Sequence, residues 1–209
     1  MPFGYRYGYS IDPTYILVLI GALISMFASM RVKTTFHKYA KVRSRSNMTG
    51  AQAAQRVLNS VGIYDVRIQH VAGDLTDHYD PRNKTLNLSD SVYGSASVAA
   101  VGVAAHECGH AIQHQQGYSP LQLRSALVPV ANFGSAAAWP LILLGILFGG
   151  AGSFACKIGI VLFSAAVLFQ IVTLPVEFNA SSRAVRILGD TGILGDQELP
   201  YTKKVLKAA

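Results

Sequence analysis

The sequence predicts a mainly α-helical protein: integral membrane helices joined to a small α+β domain with a short antiparallel sheet. Three observations carry this. Half of the 209 residues are hydrophobic (51%) and only 14% are charged, where soluble domains carry roughly a quarter. Three long apolar runs, Thr14 to Met30, Leu127 to Phe148 and Ile158 to Val176, have the length to cross a bilayer, the first at the short end. Between the first and second runs, two short stretches alternate apolar and polar residues on either side of Pro81-Arg82-Asn83. Half-buried strands joined by a turn read this way.

Taken in order, Met1 to Pro13 is rich in Tyr and Gly, a composition suited to a membrane interface. The run that follows reads as an uncleaved anchor rather than a signal peptide. No basic segment precedes it, and no small-x-small cleavage site stands before Arg31. Arg31, Lys33, Lys38, Lys41, Arg43 and Arg45 come next, and such a basic cluster holds its side of the membrane in the cytoplasm. The N-terminus is then expected outside. Thr49-Gly-Ala-Gln52 is a capping box that opens a helix through Ala53, Ala54, Val57, Leu58 and Val61, with Gly62 as its stop. Strands are expected over Asp65 to Val71 and Thr85 to Ser89, and Pro81 marks the strand it ends as not central. A helix from about Ser97 to Gln115 is closed by Gly117, and Ser119-Pro120 opens the next. The second and third apolar runs form a hairpin turning at Gly149 to Ser153. A helix then leaves the membrane from Glu177 to about Gly189, and a last amphipathic piece starts near Asp196.

This organisation divides the chain into residues 1–30, the N-terminal segment and first span; 31–126, a cytoplasmic domain; 127–176, the hairpin; and 177–209, cytoplasmic helices. The inner segments hold sixteen of the 18 Lys and Arg residues, leaving Arg6 and Lys157 outside. The formal charge of +7 therefore reads as topology, and no nucleic-acid partner is expected, because these residues flank apolar runs rather than stacking aromatics. Cys108 and Cys156 form no disulfide framework.

Within the helix from about Ser97 to Gln115 stands His106-Glu107-Cys-Gly-His110. Residues four apart share one helix face, so two imidazoles can point at one ion while Glu107 takes a proton from a zinc-bound water. That is the zincin arrangement, and it points to one Zn2+ acting as Lewis acid. A third protein ligand is needed. The metzincin positions for Gly and a third His hold Gln113 and Gln116, and His114 would fan away from an ion shared by His106 and His110. The remaining glutamates are Glu177 and Glu198, of which Glu177 lies at the exit of the third span on the side of the motif helix.

Together with Glu177-Phe-Asn-Ala-Ser-Ser-Arg183, Met48-Thr-Gly50, Leu75-Thr-Asp-His-Tyr-Asp-Pro-Arg82 and Leu174-Pro-Val-Glu177, the motif resembles the YugP-type neutral zinc metallopeptidases of bacterial membranes over nearly the whole chain. It is more distantly similar to the HtpX-type membrane peptidases, in which Glu-x-x-Ala-Asp supplies the third ligand. Here Ser181 stands at that Asp position, and Asn179 is the nearest substitute. The resemblance implies a zinc metalloendopeptidase of the bacterial cytoplasmic membrane, with His106, His110 and Glu177 as ligands and Glu107 as general base. It also implies a further apolar span beyond Ala209.

His78 and Tyr79 are candidates for stabilising the oxyanion or touching substrate, against the plainer reading of Asp77 to Asp80 as a polar turn. Asn179 and Arg183 are candidates for orienting the Glu177 carboxylate. The strand at Thr85 to Leu88 is a candidate for pairing with an extended substrate. Expected partners are protein or peptide substrates, membrane proteins among them, and the lipid bilayer; the sequence does not disclose the oligomeric state. Two other readings compete: a non-catalytic scaffold or metal-handling protein with structural zinc, and a site-2-type intramembrane protease. The segment around His106 is too short and polar for the second.

Overall fold

The computed structural model describes residues 13–149 and 154–208. The expected interfacial tyrosines before Pro13 and most of the hairpin turn, Gly150 to Ser153, lie outside these residues. The elements run α1 (Pro13–Ala40), α2 (Gly50–Ser60), β1 (Arg67–His70), β2 (His78–Asp80), β3 (Thr85–Leu88), α3 (Asp90–Tyr93), α4 (Val98–Gln115), α5 (Ser119–Gly149), α6 (Phe154–Asp190) and α7 (Leu199–Ala208). Among the described residues, three helices are long and apolar enough to cross a membrane, at Leu19–Ala40, Ser119–Gly145 and Phe154–Asp190. α4 is not one of them.

Local chemistry explains the short helices. Thr49 forms the capping box: its hydroxyl accepts from Gln52 N at 3.3 Å, and the Gln52 side chain accepts from Thr49 N at 3.0 Å. These bonds satisfy two amides that a helix start leaves unpaired. Ser97 caps α4 by accepting from Ala100 N at 3.2 Å. α4 carries small residues, among them Ala99, Ala100, Ala104 and Ala105, all fully buried, so other helices come close around it. α2 packs on one side of α4, and α6 and α7 on another. At Gly109 a Cβ would lie 2.6 Å from the Ala180 carbonyl oxygen of α6. No other residue lets the two backbones meet this closely. The core around α4 contains Leu58, Leu86, Leu88, Val101 and Leu188, each fully buried. Each such side chain contributes about 1.5–3 kcal/mol.

The sheet is mixed, which corrects the expected antiparallel arrangement. Its order is β1-β3-β2. β2 and β3 form the expected hairpin, with Asp80 opposite Thr85 and His78 opposite Asn87. β1 pairs with β3 in parallel, Arg67 opposite Thr85 and His70 opposite Leu88. The physical reason lies in β3, all four residues of which are buried. Its Asn87 and Thr85 bond each other at 3.3 Å instead of facing water, so β3 occupies the centre and β1 and β2 become the edges. Pro81 accordingly follows an edge strand. Because β3 is paired on both sides, it cannot accept an extended substrate as expected.

The long helices outrun their apolar stretches. α1 continues past Met30, and its last turns bury Phe36 and Tyr39 in the domain core. α5 stays helical through Pro129 and Pro140, and α6 through Pro175. Glu177, expected at the start of a helix, is therefore well inside α6, rigidly continuous with the hairpin.

Candidate metal centre

α4 and α6 build the centre together. The turn geometry of α4 stacks His106 and His110, whose ring centroids lie 4.8 Å apart. Glu177 Oε2 lies 3.2 Å from His106 Nε2 and 3.2 Å from His110 Nε2. Donor atoms of the three residues all fall within 4.8 Å of one another. Two imidazole nitrogens and one carboxylate oxygen are a donor set that zinc takes in catalytic sites. The three residues therefore fit one zinc ion.

Each donor is oriented from behind. Ser181 Oγ lies 3.1 Å from His106 Nδ1. The Gln113 side-chain oxygen lies 3.0 Å from His110 Nδ1. Arg124 Nη1 donates to Glu177 Oε1 at 2.9 Å, leaving Oε2 toward the histidines. Burial opposes a charged His110, but the bond to the Glu177 carboxylate and the charge of Glu107 outweigh it and raise the imidazole above its ordinary pKa.

Glu107 is buried beside the pair, and Tyr79 N–H of β2 donates to its Oε2 at 3.0 Å. The edge strand thus fixes the carboxylate. Burial, with nearby Asp65 and Asp80, pushes the Tyr79 phenol up to about 12, so it keeps its proton. Its oxygen is 2.8 Å from His114 Nδ1. His78 lines the site, with Nδ1 on the Thr76 carbonyl at 2.9 Å and Nε2 3.2 Å from Asn87 Nδ2.

Asn179 and Arg183 do not touch Glu177 through any of these bonds. Arg183 Nε donates to Asn179 Oδ1 at 2.6 Å, and Gln113 Nε2 donates to the same oxygen at 2.9 Å. The residues that sequence reasoning missed are Arg124, Gln113 and Ser181, the last of which meets His106 where Asn179 was expected as the substitute. Arg124 and Gln113 left a signal: Arg124 is the one charged residue of α5, and Gln113 stands three residues past His110, on the same face of α4 as the two histidines. Glu198 is far from the centre in function, because its carboxylate accepts from Arg45 N and Gly195 N, each at 2.9 Å.

Two cavities meet at the cluster, and His106, Glu107 and Glu177 line both. One, of about 610 Å³, is walled by polar groups including His78, Asp80, Arg82, Arg124 and Asn132. The other, of about 310 Å³, is walled largely by Val32, Phe36, Val103, Leu174, Phe178 and Leu206.

A membrane-anchored helical protein with a His-His-Glu cluster beside a buried glutamate has the parts of a zinc metallopeptidase. Residues 14–209 match the model of the family described as "Putative neutral zinc metallopeptidase", and the chain belongs to that family. It is similar to the "Putative membrane protease YugP" of Bacillus subtilis (strain 168), 48% identical over 196 residues, which cover 93% of this chain and 86% of that protein. No solved structure matches the chain. The resemblance read from the motifs is borne out.

Proposed function

We propose that this protein is a zinc-dependent endopeptidase that hydrolyses peptide bonds at the cytoplasmic face of the bacterial cell membrane. The observation that carries this reading is the meeting of His106, His110 and Glu177 donor atoms within 4.8 Å, with His106 and Glu177 on the shared wall of two cavities and His110 lining the larger of them. His106, His110 and Glu177 would hold one zinc ion, which when bound supplies Lewis-acid polarisation and acidifies a water molecule. Glu107 then acts as general base: its carboxylate takes the proton of the attacking water and passes it to the departing amine. Tyr79 N–H occupies one Glu107 oxygen and so aims the other.

His78 has both ring nitrogens engaged, and the Tyr79 hydroxyl is paired with His114. Arg124 is the better candidate for stabilising negative charge on the substrate carbonyl. A guanidinium has five N–H donors, and Arg124 already lines the polar cavity with one nitrogen on Glu177. Substrates are polypeptides, including membrane proteins, that approach along the bilayer.

The protein purified in detergent and loaded with zinc should cleave an unfolded polypeptide, and a chelator should stop it. Glu107→Gln should keep zinc and lose on the order of 10²- to 10⁴-fold in turnover. Wild-type turnover in that variant would remove the reading. Orientation rests on charge, with sixteen of 18 basic residues on one side. In a Cys-free background, a cysteine at Asn83 should resist membrane-impermeant thiol reagents in intact cells, and one at Phe154 should be labelled. The reverse pattern would invert the topology, putting the N-terminus inside.

A further inference from the structure

We infer that the apolar cavity beside the cluster is a specificity pocket. It takes the side chain of one large apolar substrate residue next to the scissile bond, and Val103 sets the size it accepts. The inference rests on the reading of the protein as a peptidase, and it names which bonds that site selects.

α4 is covered along nearly its whole length. From Val98 to Gln113 every residue is buried except Val103 and His106. Both of these line the apolar cavity, so the uncovered part of the motif helix is the floor of that cavity. The two residues share one helix face and stand about 4.5 Å apart along the axis. A side chain seated on Val103 therefore belongs to a residue whose backbone lies at the cluster itself. α7 completes the enclosure. At Gly102 a Cβ would lie 2.7 Å from Thr202 Cγ2, so α7 rests directly on α4 there. Val205 and Leu206, one turn further along the same face of α7, form part of the cavity wall.

The lining dictates the occupant. Asp77, His106, Glu107 and Glu177 are shared with the polar cavity, and the remaining lining residues are apolar, Ser181 aside. Among the described residues no Lys or Arg lines the apolar cavity, whereas Arg82 and Arg124 line the polar one. A charged head pushed to its apolar end would lose water without gaining a partner, at high cost. An apolar side chain loses nothing there and leaves water behind. Size agrees with chemistry: the cavity holds about 310 Å³, while roughly 150 Å³ of apolar space already takes up a benzene molecule. Leu, Met and Phe side chains fit, and Gly or Ala would leave most of the space empty.

The test uses the full chain in detergent and an unstructured peptide of Gly and Ser that carries one variable residue, Ala, Leu or Phe. Binding is read by fluorescence anisotropy of the labelled peptide on the zinc-loaded Glu107→Gln variant, and cleavage by mass spectrometry on the zinc-loaded wild type. The Leu peptide should bind at least about 10-fold more tightly than the Ala peptide, and the wild type should cut it at one fixed bond beside the Leu. Val103→Phe, added to the binding variant, puts a ring into the cavity and should abolish the preference for Leu over Ala. Val103→Ala enlarges the cavity and should shift the preference from Leu toward Phe. It opens space rather than filling it, so the test does not hang on an overpacked helix. Equal binding of the Leu and Ala peptides overturns the pocket. So does a preference that neither Val103 variant alters, which would leave the cavity to a lipid or detergent tail. The peptidase reading fails separately. Selective binding of the Leu peptide without any cut would sink that reading and support the pocket as a peptide site, whereas cuts placed without regard to side chain would sink the pocket alone.

Discussion

Along α6, the half after Leu174 packs on α4 within the domain, while the half before it packs on α5 in the hairpin. Both contacts are close backbone approaches made through glycine. A Cβ at Gly109 would meet Ala180 O at 2.6 Å, and one at Gly159 would meet Ala138 O at 2.9 Å and Ile142 Cγ1 at 2.6 Å. Around the first contact the large apolar residues are inside, with Leu188 fully buried. Around the second they are outside: Phe133 is 74% exposed, Trp139 66% and Leu168 62%, while small Ala138 and Ala166 fill the seam. Water drives large apolar surface inward. Lipid does not, so a seam of small residues is what holds two membrane helices together. The polar machinery stands only in the first region, where Gln113, Asn179 and Arg124 find hydrogen-bond partners for their buried groups.

The largest effect should come from the residue that joins the two regions at the metal. Glu177→Ala should abolish stoichiometric zinc binding, read by metal analysis after gel filtration. Glu198→Ala should keep zinc and cost about 1–3 kcal/mol of stability by orphaning two backbone amides. Zinc retained without the Glu177 carboxylate would show the ligand assignment to be wrong.

The contrast of surroundings is tested by trimming equal side chains. Leu188→Ala should destabilise by about 2–5 kcal/mol, whereas Leu168→Ala on the outer face of the hairpin should stay within about 0.5 kcal/mol. Denaturant unfolding in detergent followed by circular dichroism would measure both, and equal losses would erase the distinction. Filling the two close contacts sharpens it further. Gly109→Val should cost about 1–3 kcal/mol and weaken zinc binding, because α4 and α6 carry ligands on either side of that contact. Gly159→Val should disturb the hairpin yet leave zinc affinity unchanged, since it lies about 27 Å along the helix from Glu177. The smallest effect is expected at Thr49→Ala, about 1 kcal/mol for loss of the cap, with no change in zinc affinity.

Much of the local structure was legible from residues close in sequence. The Thr49 box, the helix start near Ser97, the hairpin around Pro81 and the pairing of His106 with His110 each depend on neighbours within a few positions. The parallel pairing of β1 with β3 was not legible. Alternation in Thr85 to Leu88 read as one buried face, and only the packing of α4 beneath β3 and the mutual bonding of Asn87 and Thr85 buried the other. Asn179 and Arg183 looked like partners of Glu177 because they follow it in the chain. Helical rotation instead turns them to Gln113 and Gln116, while Arg124, some fifty residues earlier, reaches the carboxylate.

By itself the sequence determined that this chain has long apolar helices fit for a membrane and, on a further helix, two histidines four residues apart with Glu107 between them. These follow from composition and from periods of two to four residues, which helices and strands convert directly into shared faces. Tertiary structure decided which strand lies at the centre, which cation supports Glu177, and how His110 is held. Those contacts join residues separated by up to 67 positions, and their geometry depends on how closely α4 and α6 approach. That distance is set by packing between Gly109 and Ala180, not by any local pattern.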